Sequence, residues 1–157
     1  MLTDPGEVEL YLPAADAAVV SSKYMPQRSL APNADGDAAA AAATASPDAW
    51  VLKPQREGGG NSVYGAVVVT ALACMSPTER GGWVLMRSIY PVRGQSVVVR
   101  DSAGGAGEVV SELRVFGTYL ATAAGKVTLN ETTGTLFRRK LADAEDGGVA
   151  VGVAVLD

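Results

Sequence analysis

The chain has 157 residues, with 13 Lys+Arg against 17 Asp+Glu for a formal charge of −4, 48% apolar residues, 6% aromatic residues, one Cys and no His. Without His, imidazole acid–base catalysis, Ser-His-Asp or Cys-His nucleophiles and His-ligated zinc are excluded, and one Cys excludes an intrachain disulfide or a multi-Cys metal cluster. The net acidity argues against a dedicated nucleic-acid binder, whose affinity comes largely from cation–phosphate contacts.

Taken in chain order, the start Met1-Leu2-Thr3-Asp4-Pro5-Gly6-Glu7 is acidic and broken, unlike the basic-then-apolar opening of a signal peptide. A soluble protein of a reducing compartment is expected. Residues 1–62 hold six of the eight prolines, namely Pro5, Pro13, Pro26, Pro32, Pro47 and Pro54. Proline at such intervals opposes long helices and central strands, because it lacks an N–H and restricts the residue before it. The apolar islands between them include Leu10, Tyr11 and Leu12, then Tyr24 and Met25, then Trp50 and Leu52. This half is expected to be an extended N-terminal arm that docks those islands on another surface, with disorder as the competing reading. The alanine run 38–43 after Asp37 suits either a short capped helix or a small-residue linker.

From residue 63 to 157 the texture predicts a mainly-β domain, a compact sandwich or barrel. Valine-rich runs at Val67-Val68-Val69-Thr70, Val84-Leu85-Met86, Val97-Val98-Val99, Val109-Val110 and 149–155 suit a pleated sheet. Expected turns between them include Gly81-Gly82, Gly104-Gly105-Ala106-Gly107, Gly125, Gly134 and Asp146-Gly147-Gly148. Ser76-Pro77-Thr78-Glu79 has the form of a capping box with Pro at the first helical position. The apolar run 65–75 is too short for a hydrocarbon core, which needs about 20 residues. Cys74 within it is expected to be a small buried hydrophobe.

The glycine clusters Gly58-Gly59-Gly60 and 104–107 lack the Lys-Ser/Thr pair and following helix of a Walker A loop, and are expected to be flexible turns. Asp143, Glu145 and Asp146 read as a solvated turn rather than a metal site. Asn130-Glu131-Thr132 matches a glycosylation sequon and is taken as chance. Between Thr135 and Leu141, alternation sends Arg138 and Lys140 to one side and Phe137, Arg139 and Leu141 to the other. That basic pair suits an edge guarded against aggregation, or an electrostatic contact with an acidic partner. In the last strand, four valines share one face, leaving Ala150, Gly152 and Ala154 as a nearly bare face open to a neighbouring subunit.

The stretch from Gly134 to Asp143, with Asp146-Gly147-Gly148-Val149-Ala150-Val151-Gly152-Val153-Ala154-Val155, resembles a motif of tailed-phage head decoration proteins of the lambda type. The resemblance implies a homotrimer that cements the capsid exterior, clamping neighbouring copies of the major capsid protein. It implies a virion component made in the host cytoplasm. No enzyme activity, cofactor, metal, nucleic acid, membrane or small-molecule substrate is expected. The alternatives are a phage tail or receptor-binding β module, favoured if Trp83, Tyr90 and Tyr119 gather at one end, and a head–tail joining protein.

Overall fold

The computed structural model describes residues 3–56, 60–100, 103–144 and 154–156. The fold is mainly β, built on two open four-stranded antiparallel sheets. The chain divides into two compact units, Met1–Tyr90 and Pro91–Asp157, whereas the change of texture put a boundary after residue 62.

The first unit begins with a single 3-10 turn, Val8–Leu10, and the helix α1, Ala14–Ser21. A short strand, β1 (Gln27–Ser29), leads to the 12-residue helix α2 (Ala34–Ala45). Next come β2 (Trp50–Pro54), β3 (Val63–Tyr64), the helices α3 (Val67–Cys74) and α4 (Pro77–Arg80), and β4 (Trp83–Arg87). The sheet order is β1-β4-β2-β3. The described residues within 1–62 therefore form helices, strands and core where an extended arm was expected.

The reason lies in the small residues. Gly36, Ala39 and Ala43 are buried on one side of α2, at spacings that repeat with the helical turn. They let the helix lie close to Leu30, Leu52, Leu85, Val68 and Leu72, the centre of the hydrophobic core. A β-carbon on Gly36 would fall 1.9 Å from the carbonyl oxygen of Ala31. The cap of this helix is Asn33, whose side-chain oxygen accepts the N–H of Gly36 at 2.9 Å. Asp37, the expected cap, instead pairs with Arg80 of α4.

The valine run at 67–70 is helical, contrary to its β-branched composition. Gly65 has φ +56°, which turns the chain out of β3, and Val68 and Leu72 then bury one stripe at i and i+4. Burial of that stripe outweighs the few tenths of a kcal/mol by which valine disfavours helix (roughly, per residue). Cys74 lies two positions past Leu72, off the buried stripe, and is exposed. The capping box at Ser76 is present as the sequence predicts. The Ser76 hydroxyl accepts the Glu79 N–H at 3.3 Å, and the Glu79 carboxylate accepts the Ser76 N–H at 2.8 Å. The backbone hydrogen bond from Ser76, joined by that of its hydroxyl, holds the Glu79 carboxyl below its ordinary value. Among the described residues, no helix is long and apolar enough to cross a membrane.

The second unit holds β5 (Arg93–Arg100), β6 (Ala103–Ala121), β7 (Val127–Leu141) and β8 (Ala154–Leu156), paired in sequence order. Gly104, Gly105 and Gly107, expected to turn, run inside β6 opposite Val99, Val98 and Ser96. Gly134, another expected turn, lies in β7 opposite Phe116. Gly125 does turn: its φ is +79° and its N–H bonds to Thr122 O at 2.9 Å. The β6–β7 register shifts twice, between Phe116 and Gly117 and between Leu120 and Ala121. At the first shift Thr133 has no opposite number, and at the second Thr128 has none.

Candidate functional site

In the first unit, strand alternation sends Leu52 and Leu85 to the helices and their neighbours to the other face. Lys53 stands opposite Val84, Val51 opposite Met86, and Gln27 opposite Met86 from the other side. Gln27, Lys53, Pro54, Gln55, Val84 and Met86 line an open recess of about 270 Å³ on this second face. Among the described residues the Lys53 ammonium and the Gln27 amide have no hydrogen-bond or ion-pair partner.

The recess adjoins the connection from β2 to β3. The N–H of Gln55 bonds to Gly82 O at 2.9 Å, prolonging the β2–β4 ladder. Beyond it, the Arg56 guanidinium donates to the Asn61 side-chain oxygen, and Gly60 has φ +76°. Glu57, Gly58 and Gly59 lie outside the described residues. A cation at a strand end, followed by a glycine-rich connection, is a layout suited to an extended anion, because glycine lets the backbone approach closely.

In the second unit, one face of the sheet carries the printed ion pairs. Glu112 accepts from Arg138 Nε at 2.7 Å and from Arg114 Nε at 3.0 Å. Arg93 pairs with Glu108 at 2.9 Å. Burial would raise the Glu112 carboxyl, but its hydrogen bonds and charge interactions with Arg138 and Arg114 outweigh burial and hold it below the ordinary value. Arg93, Arg114, Arg138 and Lys140 share this face with Glu108, Glu112 and Glu131, the last standing opposite Thr118 beyond the first register shift. The opposite face bears Phe137, with the Arg139 guanidinium 5.1 Å from its ring centre. The division of Arg138 and Lys140 from Phe137, Arg139 and Leu141 thus follows the alternation read from the sequence.

The other sequence-predicted contacts do not gather. Trp50 and Leu52 are core residues, 8% and 0% exposed, because the inward face of β2 carries them. Leu10, Tyr11, Leu12 and Tyr24 are exposed and Met25 is half-buried. Seven residues split between core and surface make no single docking face. Ala150 and Gly152 lie outside the described residues. Ala154 is in β8, opposite Lys140. Glu145 and Asp146 lie outside the described residues, and among those described no group of three metal-type ligands occurs.

All of residues 1–157 match the ATP-binding domain of eukaryotic glutathione synthase. The chain belongs to the eukaryotic glutathione synthase family. It is 40% identical to human glutathione synthetase over 160 aligned residues, covering 99% of this chain and 34% of that protein. The chloroplastic glutathione synthetase of tomato (Solanum lycopersicum) is 40% identical over 114 residues, 71% of this chain and 21% of that protein. The fold is shared with a glutathione synthetase-like effector from Globodera pallida, at a TM-score of 0.70 and 23% identity over 99% of this chain and 31% of that one. The chain spans about a third of the length of the full-length relatives it matches.

Membership of the glutathione synthase family overturns the capsid reading. A virion location, a major capsid protein partner, a cementing trimer and a role without enzymatic character have no support, nor have the tail and head–tail alternatives. The C-terminal resemblance rested on an Asp-Gly turn followed by an aliphatic strand, a pattern that many sheets share. The expectation of no small-molecule substrate came from missing nucleophiles and imidazoles. Phosphoryl chemistry needs neither, since positioning and cationic stabilisation supply most of its catalysis.

Sequence patterns did not single out Gln27, Lys53 and Arg56. The available signal was Lys53-Pro54-Gln55-Arg56, two cations at the end of a strand and shortly before the three glycines Gly58, Gly59 and Gly60. The stretch has neither the Walker A pattern nor the spacing of a dinucleotide fingerprint.

Proposed function

We propose that this chain is the nucleotide-binding part of an ATP-dependent ligase of the glutathione synthetase type. The observation that carries the reading is the open recess of the first sheet, lined by Lys53, which has no hydrogen-bond or ion-pair partner among the described residues and shortly precedes three glycines in the sequence of a chain of this family. The triphosphate of ATP takes the Lys53 end, where the ammonium is a compact point charge for phosphate oxygens. Arg56, tied to Asn61, adds a second cation across the connection. Pro54, Val84 and Met86 provide the apolar floor that a nucleoside needs.

In a ligase of this type, ATP supplies a phosphoryl group that activates a carboxylate, and an amine then displaces the phosphate to form an amide. The chain's own contribution is to bind and orient the triphosphate and to neutralise charge that builds on the transferring group. Arg138 and Lys140 are proposed as contacts for an anionic group of a small substrate, carboxylate or phosphate, in place of an acidic partner protein. Glu112 fixes the Arg138 guanidinium through its bond to Nε.

Titration calorimetry with ATP tests the reading. The wild-type chain should bind ATP, and Lys53→Ala should weaken binding at least tenfold while the circular dichroism spectrum stays unchanged. Absence of nucleotide binding, or equal affinity in the variant, would overturn it.

A further inference from the structure

We infer that Arg114 is a positioning residue: by holding one oxygen of Glu112, it sets the angle at which Arg138 presents its free edge to an anion. The inference rests on the reading of Arg138 as an anion contact and extends it to a residue that acts through Glu112. Three side chains of the second sheet make the device. Glu112 and Arg114 are two apart on β6 and therefore share a face, and Arg138 stands opposite Glu112 on β7. Arg114 itself stands opposite Leu136, so its charged neighbour is on its own strand.

The bonding within the trio is unequal. Arg114 Nε donates to Glu112 Oε1 at 3.0 Å. Arg138 donates through Nε at 2.7 Å and through Nη2, and both bonds end on the same oxygen, Oε2. A guanidinium beside an open carboxylate can do better, because two parallel N–H donors then take one oxygen each. Arg138 does not reach that two-oxygen arrangement while Arg114 occupies Oε1.

The restriction matters for the other edge of Arg138. A guanidinium paired squarely with both oxygens has its plane and direction fixed by the carboxylate. Arg138, holding one oxygen, is turned about that contact, and its Nη1 has no partner among the described residues. Its side chain is largely buried, which keeps the orientation, whereas Arg114 and Glu112 are half exposed. Neither of the other arginines described in this unit can take the place of Arg114. Arg93 pairs with Glu108, and Arg139 lies on the opposite face over Phe137.

The test titrates the 157-residue chain with acetate and with inorganic phosphate at constant ionic strength. Binding is followed at the Arg138 Nε–Hε signal in NMR spectra, so that anions held elsewhere do not count. Arg114→Ala should shift that signal before any anion is added and weaken both anions about fivefold, as Arg138 settles onto both oxygens of Glu112. Arg114→Lys, whose ammonium can hold Oε1, should restore both affinities to within about twofold of wild type. In a Glu112→Gln background, Arg114→Ala should have no further effect. An unchanged Arg138 signal and unchanged affinities in Arg114→Ala would overturn the positioning role while leaving Arg138 as an anion contact. Equal weakening with and without the Glu112 carboxylate would overturn it too, since Arg114 would then act on the anion directly. A wild-type Arg138 signal that neither anion moves would overturn the anion-contact reading and the role of Arg114 with it. The Arg114 pair is half exposed, so its variants should unfold with the wild-type transition.

Discussion

The two units stabilise their sheets by different means. In the first, Leu30, Leu52, Val68 and Leu85 are fully buried between a sheet and its helices. In the second, Val109 is the one buried hydrophobic residue among those described, while Leu113 and Val115 are each 62% exposed. Its order comes from the long β6–β7 ladder, with ion pairs arrayed on one face. The contrast teaches that a sheet can be specified by packing or by pairing. Packing resists substitution at a few sites, whereas pairing spreads its contribution thinly along the strands.

The sharpest way to break this comparison is at the packed core. Leu52→Ala should destabilise the first unit by about 2–5 kcal/mol, read from urea unfolding. Gly36→Ala follows, at about 1–3 kcal/mol or more, because the added methyl meets backbone that has no side-chain freedom to yield. A gain in stability from this helix-favouring change would show that the α2 contact is looser than described. Asn33→Ala removes the N-cap and should cost about 1 kcal/mol.

The second unit should respond more gently. The Glu112 carboxyl is held below its unfolded value, so its contribution is complete at neutral pH and fades as pH falls through the lowered value. Glu112→Gln should flatten that acid limb by under about 1 kcal/mol, a figure discounted because the carboxylate is half exposed. Unfolding of wild type and variant at neutral and acid pH measures the difference. Leu113→Ala should change stability by less than about 0.5 kcal/mol. A loss as large as that of Leu52→Ala would show that the second sheet packs like the first.

Much of the fold was legible where one local rule acted alone. The mainly-β content followed from the valine runs, the Ser76 capping box from its spacing, and the two faces of β7 from period-2 alternation. Legibility failed where tertiary contacts outvoted composition. Val67–Cys74 is helical because Val68 and Leu72 reach a core assembled from α2 and two strands, none of which the run itself reveals. The alanine run suited a short capped helix or a linker alike, and its lack of bulk is what admits α2 to that core. The recess was hidden for a related reason. Gln27, Lys53 and Met86 come from three strands separated in sequence, and only the β1-β4-β2 order brings them side by side.

The two bulges of β7 have a bearing on how the ribbon tolerates changes of length. Thr128 and Thr133 are each surplus to the pairing, although their hydroxyls engage β6: Thr128 donates to Leu120 O at 3.0 Å, and Thr133 accepts from the Thr118 hydroxyl at 3.0 Å. Removing either threonine leaves every other residue of the ribbon opposite its present partner. Removing Leu136 instead drives the neighbouring positions onto the wrong face until the next irregularity absorbs the slip. The hairpin thus contains two places where a codon can be lost or gained at little cost, set among many where it cannot.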